Sequence, residues 1–218
     1  MIDWKTIDTV LFDMDGTLLD LHFDNCFWLQ YVPEKYAEKH GISMEKARAE
    51  VDVLMQKAVG TLNWYCLDFW DQALGLETVA LKQELAHLIR LRPHVDELLS
   101  ALKTAGKHIV LITNAHRDSL SLKMERISLA HYFDRLITAH EFGYPKEDRH
   151  FWDALQATVP FNRERTLFID DSIPVLRSAC EYGIRKLLAI KHPDSRQGAR
   201  DTEEFPAIDQ FTELLPVL

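Results

Sequence analysis

Five short apolar runs set the frame of this chain: Thr9–Phe12, Ile109–Ile112, Arg135–Thr138, Thr166–Ile169 and Lys186–Ile190. Each breaks off at a polar cluster and shows no in–out alternation. Such runs read as strands covered on both faces, as in a parallel sheet. Parallel strands need long crossovers, and helical patterns fill the intervals. Val95, Leu98, Leu99 and Leu102 recur at i, i+3, i+4 and i+7, with Pro93 placed as the first helical residue and Gly106 as the stop. Further helices are expected over about 116–127, 148–157 and 172–182. The alternation predicts an α/β fold built on a doubly wound, mostly parallel sheet.

One stretch breaks the alternation. Between about Asp20 and Arg92 no strand pattern occurs, and helices are expected over 24–39, 43–58, 62–74 and 78–90. Four helices there would form a small bundle inserted after the first strand. We therefore expect a core of residues 1–19 and 93–218 and an inserted helical cap of residues 20–92, hinged beside the first strand's end and able to cover it.

Bulk composition narrows the function. The chain has 218 residues, enough for one such core with an insert, and a formal net charge of −9. An acidic surface repels polyphosphate backbones, so no nucleic-acid polymer is expected as a partner. The N-terminal "MIDWKTIDTVLF" has neither a basic leader nor a long apolar stretch, and no run approaches a membrane span. The three cysteines are odd in number and form no CxxC pair, so buried free thiols and a cytoplasmic location are expected.

Ligands of α/β sheets bind beyond the carboxyl ends of the strands. Asp13 and Asp15 follow the first run, Thr113 and Asn114 the second, a loop with Lys146 the third, and Asp170 and Asp171 the fourth. Singly each has a plain reading: a solvated turn for "DMDG", a helix cap for Asp170–Asp171, a solvated lysine for Lys146. An EF-hand loop is excluded, because Gly16 falls at position four of such a loop and Asp24 at position twelve. Together, in parallel strands, the four acids, a hydroxyl, an amide and an ammonium would converge on one edge. Carboxylates suit Mg²⁺, and a cation there would relieve their repulsion and let a carboxylate attack phosphorus. Thr113 and Asn114 could donate to phosphoryl oxygens, and Lys146 could supply fixed charge.

These segments resemble the motifs of the haloacid dehalogenase-like hydrolase superfamily: "DMDGT" its DxDGT signature, "LITN" its hydroxyl motif, Lys146 its lysine and "IDDS" its acidic motif. The helical insert resembles that superfamily's cap of the first type. Longer stretches at 13–28, 61–70, 113–116, 142–148 and 164–172 look like its 5′-nucleotidases of the IMP/GMP type. The resemblance implies phosphate release from a purine nucleoside monophosphate. Asp13 would be the nucleophile and form an aspartyl-phosphate, and Asp15 the general acid and base, two residues on along the same side of an extended chain. It implies Mg²⁺ held by Asp13, the Asp15 carbonyl and the Asp170–Asp171 pair, with Asp171 favoured over Asp170 as the direct ligand. Val175 departs from the pattern, standing where many members carry a further acid.

The core handles only phosphate, so the cap must choose the substrate. In "TLNWYCLDFW" (61–70), Asn63 and Trp64 are candidates to read or stack a base, while Trp64, Phe69 and Trp70 could equally pack the bundle. His116 could touch phosphate or ribose, and His22, Phe23 and Asn25 sit where the insert begins. A sugar phosphate, as substrate of a phosphatase or phosphomutase, is the alternative. A dehalogenase would not need Asp15, and a non-catalytic binding module would have lost part of the set. The polar segment 192–205 reads as a surface connection.

Overall fold

Each apolar run becomes a strand because its alternate residues feed two different cores. The computed structural model describes residues 2–218 and holds β1 (Thr9–Phe12), β2 (His108–Thr113), β3 (Arg135–Thr138), β4 (Thr166–Asp170), β5 (Lys186–Ile190) and β6 (Ala207–Ile208). They form one sheet in the order β3-β2-β1-β4-β5-β6, and every pairing is parallel. In β1, Val10 and Phe12 pack into one layer and Leu11 into the other. Both faces are dry, so a continuous apolar run is what the position demands. The order runs one way from β1 through β2 and the other way from β4, so the crevice beyond β1 and β4 is the topological switch point.

Between β1 and β2 the chain forms α1 (His22–Cys26), α2 (Val32–His40), α3 (Met44–Ala58), α4 (Leu67–Leu74) and α5 (Thr78–Glu84). The segment after α1, with α2, α3 and α4, supplies a third apolar cluster of Phe27, Val32, Val51, Met55, Ala58, Trp70 and Leu74, against which Leu81 of α5 packs. This is the inserted multi-helix cap region on an α/β core. Leu19 and Leu91 form an antiparallel bridge where the chain leaves and re-enters the core. The core helices are α6 (Val95–Thr104), α7 (Arg117–Ile127), α8 (Arg149–Thr158) and α9 (Ile173–Tyr182).

Several local expectations are corrected. Pro93 lies two residues before the first helical residue of α6, and His94, in a left-handed conformation (φ 64°), is the cap. The first cap helix is interrupted by a π turn over Phe27–Tyr31. Pro33 offers no N–H and crowds the carbonyl four residues back, and the widened turn absorbs this. The fourth stops at Glu84, followed by a 3₁₀ turn over Ala86–Leu88. β6 has only two residues, too few for a pattern. Cys26 and Cys66 are half-buried and Cys180 is exposed, so the thiols are free but not all buried. Within 192–205, Asp194 is buried and accepts from Asn25 Nδ2 at 2.6 Å, so this segment also braces α1.

Candidate active site

The strand ends build the site from the backbone up. The pairing of β1 with β4 sets Phe12 beside Ile169 and brings Asp13 and Asp170 to one level. Asp13 is 6% exposed, Asp170 fully buried and Lys146 2% exposed. Lys146 Nζ donates to Asp13 Oδ1 at 2.6 Å and to Asp170 Oδ2 at 2.7 Å. Burial opposes its charge, but the two carboxylates outweigh that and push its pKa well above the usual lysine range. The loop that carries Lys146 is fixed by Asn114, whose Oδ1 accepts from the Lys146 backbone N–H at 2.8 Å. Asn114 Nδ2 donates to Glu147 Oε2 at 2.9 Å, and Tyr65 of the cap donates to Glu147 Oε1 at 2.9 Å.

Asp13, Asp170 and Asp171 bring carboxylate oxygens within 4.8 Å of one another. Burial raises the pKa of Asp171 to about 7, with Asp13 adding to it, and burial also pushes Asp170 well above the carboxylate range. Both oxygens of Asp170 are engaged, Oδ2 by Lys146 and Oδ1 by the Ser172 N–H at 2.8 Å. Asp171 engages Oδ2, with Arg200 at 3.1 Å. Asp13 Oδ2 is buried with no hydrogen-bond partner among the described residues. Such an orphaned carboxylate oxygen is costly in a protein alone and is what a cation would satisfy. The oxygen donor set fits Mg²⁺. Gly16 makes the closeness possible. Its φ is +86°, and a Cβ there would lie 2.5 Å from Asp171 Oδ2.

Asp15 belongs to a second set of charges, which the sequence reading missed. Lys123 of α7 donates to Asp15 Oδ1 at 2.6 Å and to Asp24 Oδ2 at 2.7 Å. Lys82 of α5 donates to Asp24 Oδ1 at 2.8 Å. The chain of ions joins the core to two cap helices. Burial raises the Asp15 pKa to about 6. Burial would raise Asp24 too, but Lys123 and Lys82 outweigh it and hold Asp24 at about 2. The available signal was positional: Lys123 follows Leu120 by three and precedes Met124 on the buried face of α7, and Lys82 shares the buried face of α5 with Thr78.

A cavity of about 260 Å³ lies over these groups. Asp13, Asp15, Thr113, Asn114, His116, Lys146, Asp170 and Asp171 line it from the core, and Trp28, Trp64 and Tyr65 from the cap. Asn25 also lines it, whereas Asn63, His22 and Phe23 do not. Trp70 is buried in the cap cluster and donates to the Trp64 carbonyl at 2.9 Å.

Residues 7–179 match the haloacid dehalogenase-like hydrolase family. The chain belongs to the haloacid dehalogenase-like hydrolases. Along its whole length this hydrolase is 42% identical, over 217 residues, to the GMP/IMP nucleotidase YrfG of Escherichia coli (strain K12), covering 98% of that protein. It is 23% identical over 236 residues to the (S)-2-haloacid dehalogenase 4A of Burkholderia cepacia, covering all of this chain and 96% of that one. Its fold matches that of a HAD phosphatase from Thermococcus onnurineus with a TM-score of 0.80 at 22% identity, over 95% of this chain and 96% of that one. The hydrolase is thus an enzyme with the fold of the family's phosphatases. Among its described residues no helix is long and apolar enough to cross a membrane.

Proposed function

We propose that this hydrolase is a Mg²⁺-dependent 5′-nucleotidase that releases phosphate from purine nucleoside monophosphates such as IMP and GMP. The observation that carries the phosphatase chemistry is the pairing of an orphaned Asp13 Oδ2 with a Lys146-clamped Oδ1 on the floor of the cavity. The purine preference rests on the 42% identity to a GMP/IMP nucleotidase and on the aromatic wall of Trp28, Trp64 and Tyr65. We take residues 20–92 as the cap and the remainder as the core.

In this reading Asp13 attacks phosphorus in line with the P–O5′ bond. Lys146 fixes the carboxylate plane and shares positive charge with the phosphoryl oxygens. Thr113 and Asn114 border the place where those oxygens would sit. As the O5′ bond breaks, Asp15 delivers its proton to the leaving oxygen. A pKa raised to about 6 keeps that proton available nearer neutrality than an ordinary aspartate would. The nucleoside departs and leaves an aspartyl-phosphate on Asp13. Asp15, now ionised, takes a proton from water, the water attacks phosphorus, and Asp13 is freed. Mg²⁺, when bound, would offset the negative charge of carboxylates and phosphate. Asp13, the Asp15 carbonyl and Asp171 would hold it, because both Asp170 oxygens already accept hydrogen bonds.

The test is phosphate release across a panel of purine and pyrimidine monophosphates and sugar phosphates, with Mg²⁺ and with chelator. Preference for IMP or GMP supports the reading. Preference for a sugar phosphate over every nucleotide would overturn it.

A further inference from the structure

We propose that Cys66, His116 and His140 form a second metal site of softer character, taking Zn²⁺ or a similar thiophilic divalent cation, across the junction of cap and core. Cys66 lies in the cap, between the 3₁₀ turn Leu62–Tyr65 and α4. His116 caps the N-terminus of α7, and His140 sits in the 3₁₀ turn that follows β3. One ligating atom from each lies within 4.8 Å of the other two. The two imidazoles meet edge to face, with ring centres 5.0 Å apart.

Further features point to a ligand rather than to packing. His140 Nε2 is buried and has no hydrogen-bond partner among the described residues, an arrangement that leaves a lone pair or an N–H unsatisfied. Asp68 Oδ2 lies 3.8 Å from His116 Nε2 on the cap side. The contact of His116 Nδ1 with the Asp118 N–H is long, 3.5 Å, so it holds the ring only weakly to one tautomer.

The donor set decides the class of ion. A thiolate with two imidazoles selects Zn²⁺ and other soft or borderline cations over Mg²⁺. The all-oxygen set of Asp13, Asp170 and Asp171 has the opposite preference. Binding would replace the thiol proton of Cys66 by the metal and release that proton to solvent. Because one ligand is in the cap and two are in the core, the ion would hold the two together over the cavity. His116 also lines that cavity, so the ion would sit in its wall.

The test uses the full-length, metal-stripped protein without any phosphate substrate, so its failure is separable from failure of the nucleotidase reading. Titration with Co²⁺ is expected to raise a near-ultraviolet thiolate-to-cobalt charge-transfer band that saturates with a single ion and is abolished by Zn²⁺. Asp13→Asn should keep the band and Cys66→Ser should lose it. His140→Ala should weaken Co²⁺ binding by more than about tenfold, with far-UV circular dichroism confirming that each variant is folded. Zn²⁺ should also slow amide exchange over residues 61–70 in the wild type and not in Cys66→Ser. The absence of the band in the wild type, or its survival in Cys66→Ser with Cys26 or Cys180 as the source, would overturn the site.

Discussion

At the scale of single residues, charge placement decides most of what this hydrolase can do. Asp13 has one oxygen clamped and one free, and the proposed mechanism needs both. Asp13→Asn keeps the shape and removes the nucleophile, so phosphate release should fall by at least about a thousandfold. A steady-state assay checks this, and near-full activity would refute the assignment. Asp24 gives a separate test through stability. Its pKa is held at about 2, below the ordinary 3.8, by Lys123 and Lys82 against the effect of burial. A depressed carboxylate stabilises the fold above its unfolded pKa and loses that contribution as pH falls through the folded value. Comparing wild type with Asp24→Asn by denaturant unfolding should show a difference of roughly 2 kcal/mol that fades between about pH 4 and pH 2. Neither Asp24 nor its lysine partners stood out in the sequence. A lone acid or lysine is usually solvated. The pairings span 58 and 99 residues, so only the folded chain reveals them.

At the scale of elements, the site depends on how turns and helices deliver these groups. The strands were legible because parallel strands must be apolar on both sides, and the residues after each run inherit the sheet's edge. Lys146 and Asp170 were legible for the same reason, through where β3 and β4 end. Pro93 misled because it precedes a cap in a left-handed conformation instead of opening the helix. The π turn was marked in the sequence only by Pro33, which a pattern of apolar spacing passes over. The turn after β1 is a sharper case. Gly16→Ala would place a methyl group on the Asp171 carboxylate in a backbone conformation that alanine avoids. Mg²⁺ affinity, measured by calorimetry, should fall by more than about tenfold while the fold persists. The link between α7, α1 and α5 is a further element-scale test. Lys123→Met leaves Asp15 with no ion partner and Asp24 with Lys82 alone, and should cost about 3–5 kcal/mol. The Lys123–Asp24 contact is lost in either single variant, so the double variant with Asp24→Asn should be less destabilised than the sum of the two single changes. Simple additivity in the unfolding free energies would show that the three groups are not coupled.

At the scale of the whole molecule, acids gathered at one sheet edge make stability, pH and metal a single problem. Burial raises Asp171 to about 7 and Asp15 to about 6, and pushes Asp170 up as well. Over the window from about pH 4 to pH 7 these three carboxylates therefore bind more protons in the folded chain than in the unfolded one. By linkage, their contribution to the stability of the metal-free protein falls as pH rises through that window, the reverse of the Asp24 contribution at lower pH. Lys146 and Arg200 offset part of this charge, but three carboxylates meet there within 4.8 Å. A divalent cation competes with the protons and supplies what they supplied at lower pH. Mg²⁺ should accordingly stabilise the protein little at pH 5 and most at pH 8. At a hundred times its dissociation constant it should add about 2.7 kcal/mol, or roughly 5–10 °C in Tm. Thermal unfolding at pH 5, 6.5 and 8, with Mg²⁺ and with chelator, measures this directly. Equal stabilisation at all three values would show that these carboxylates do not hold the ion.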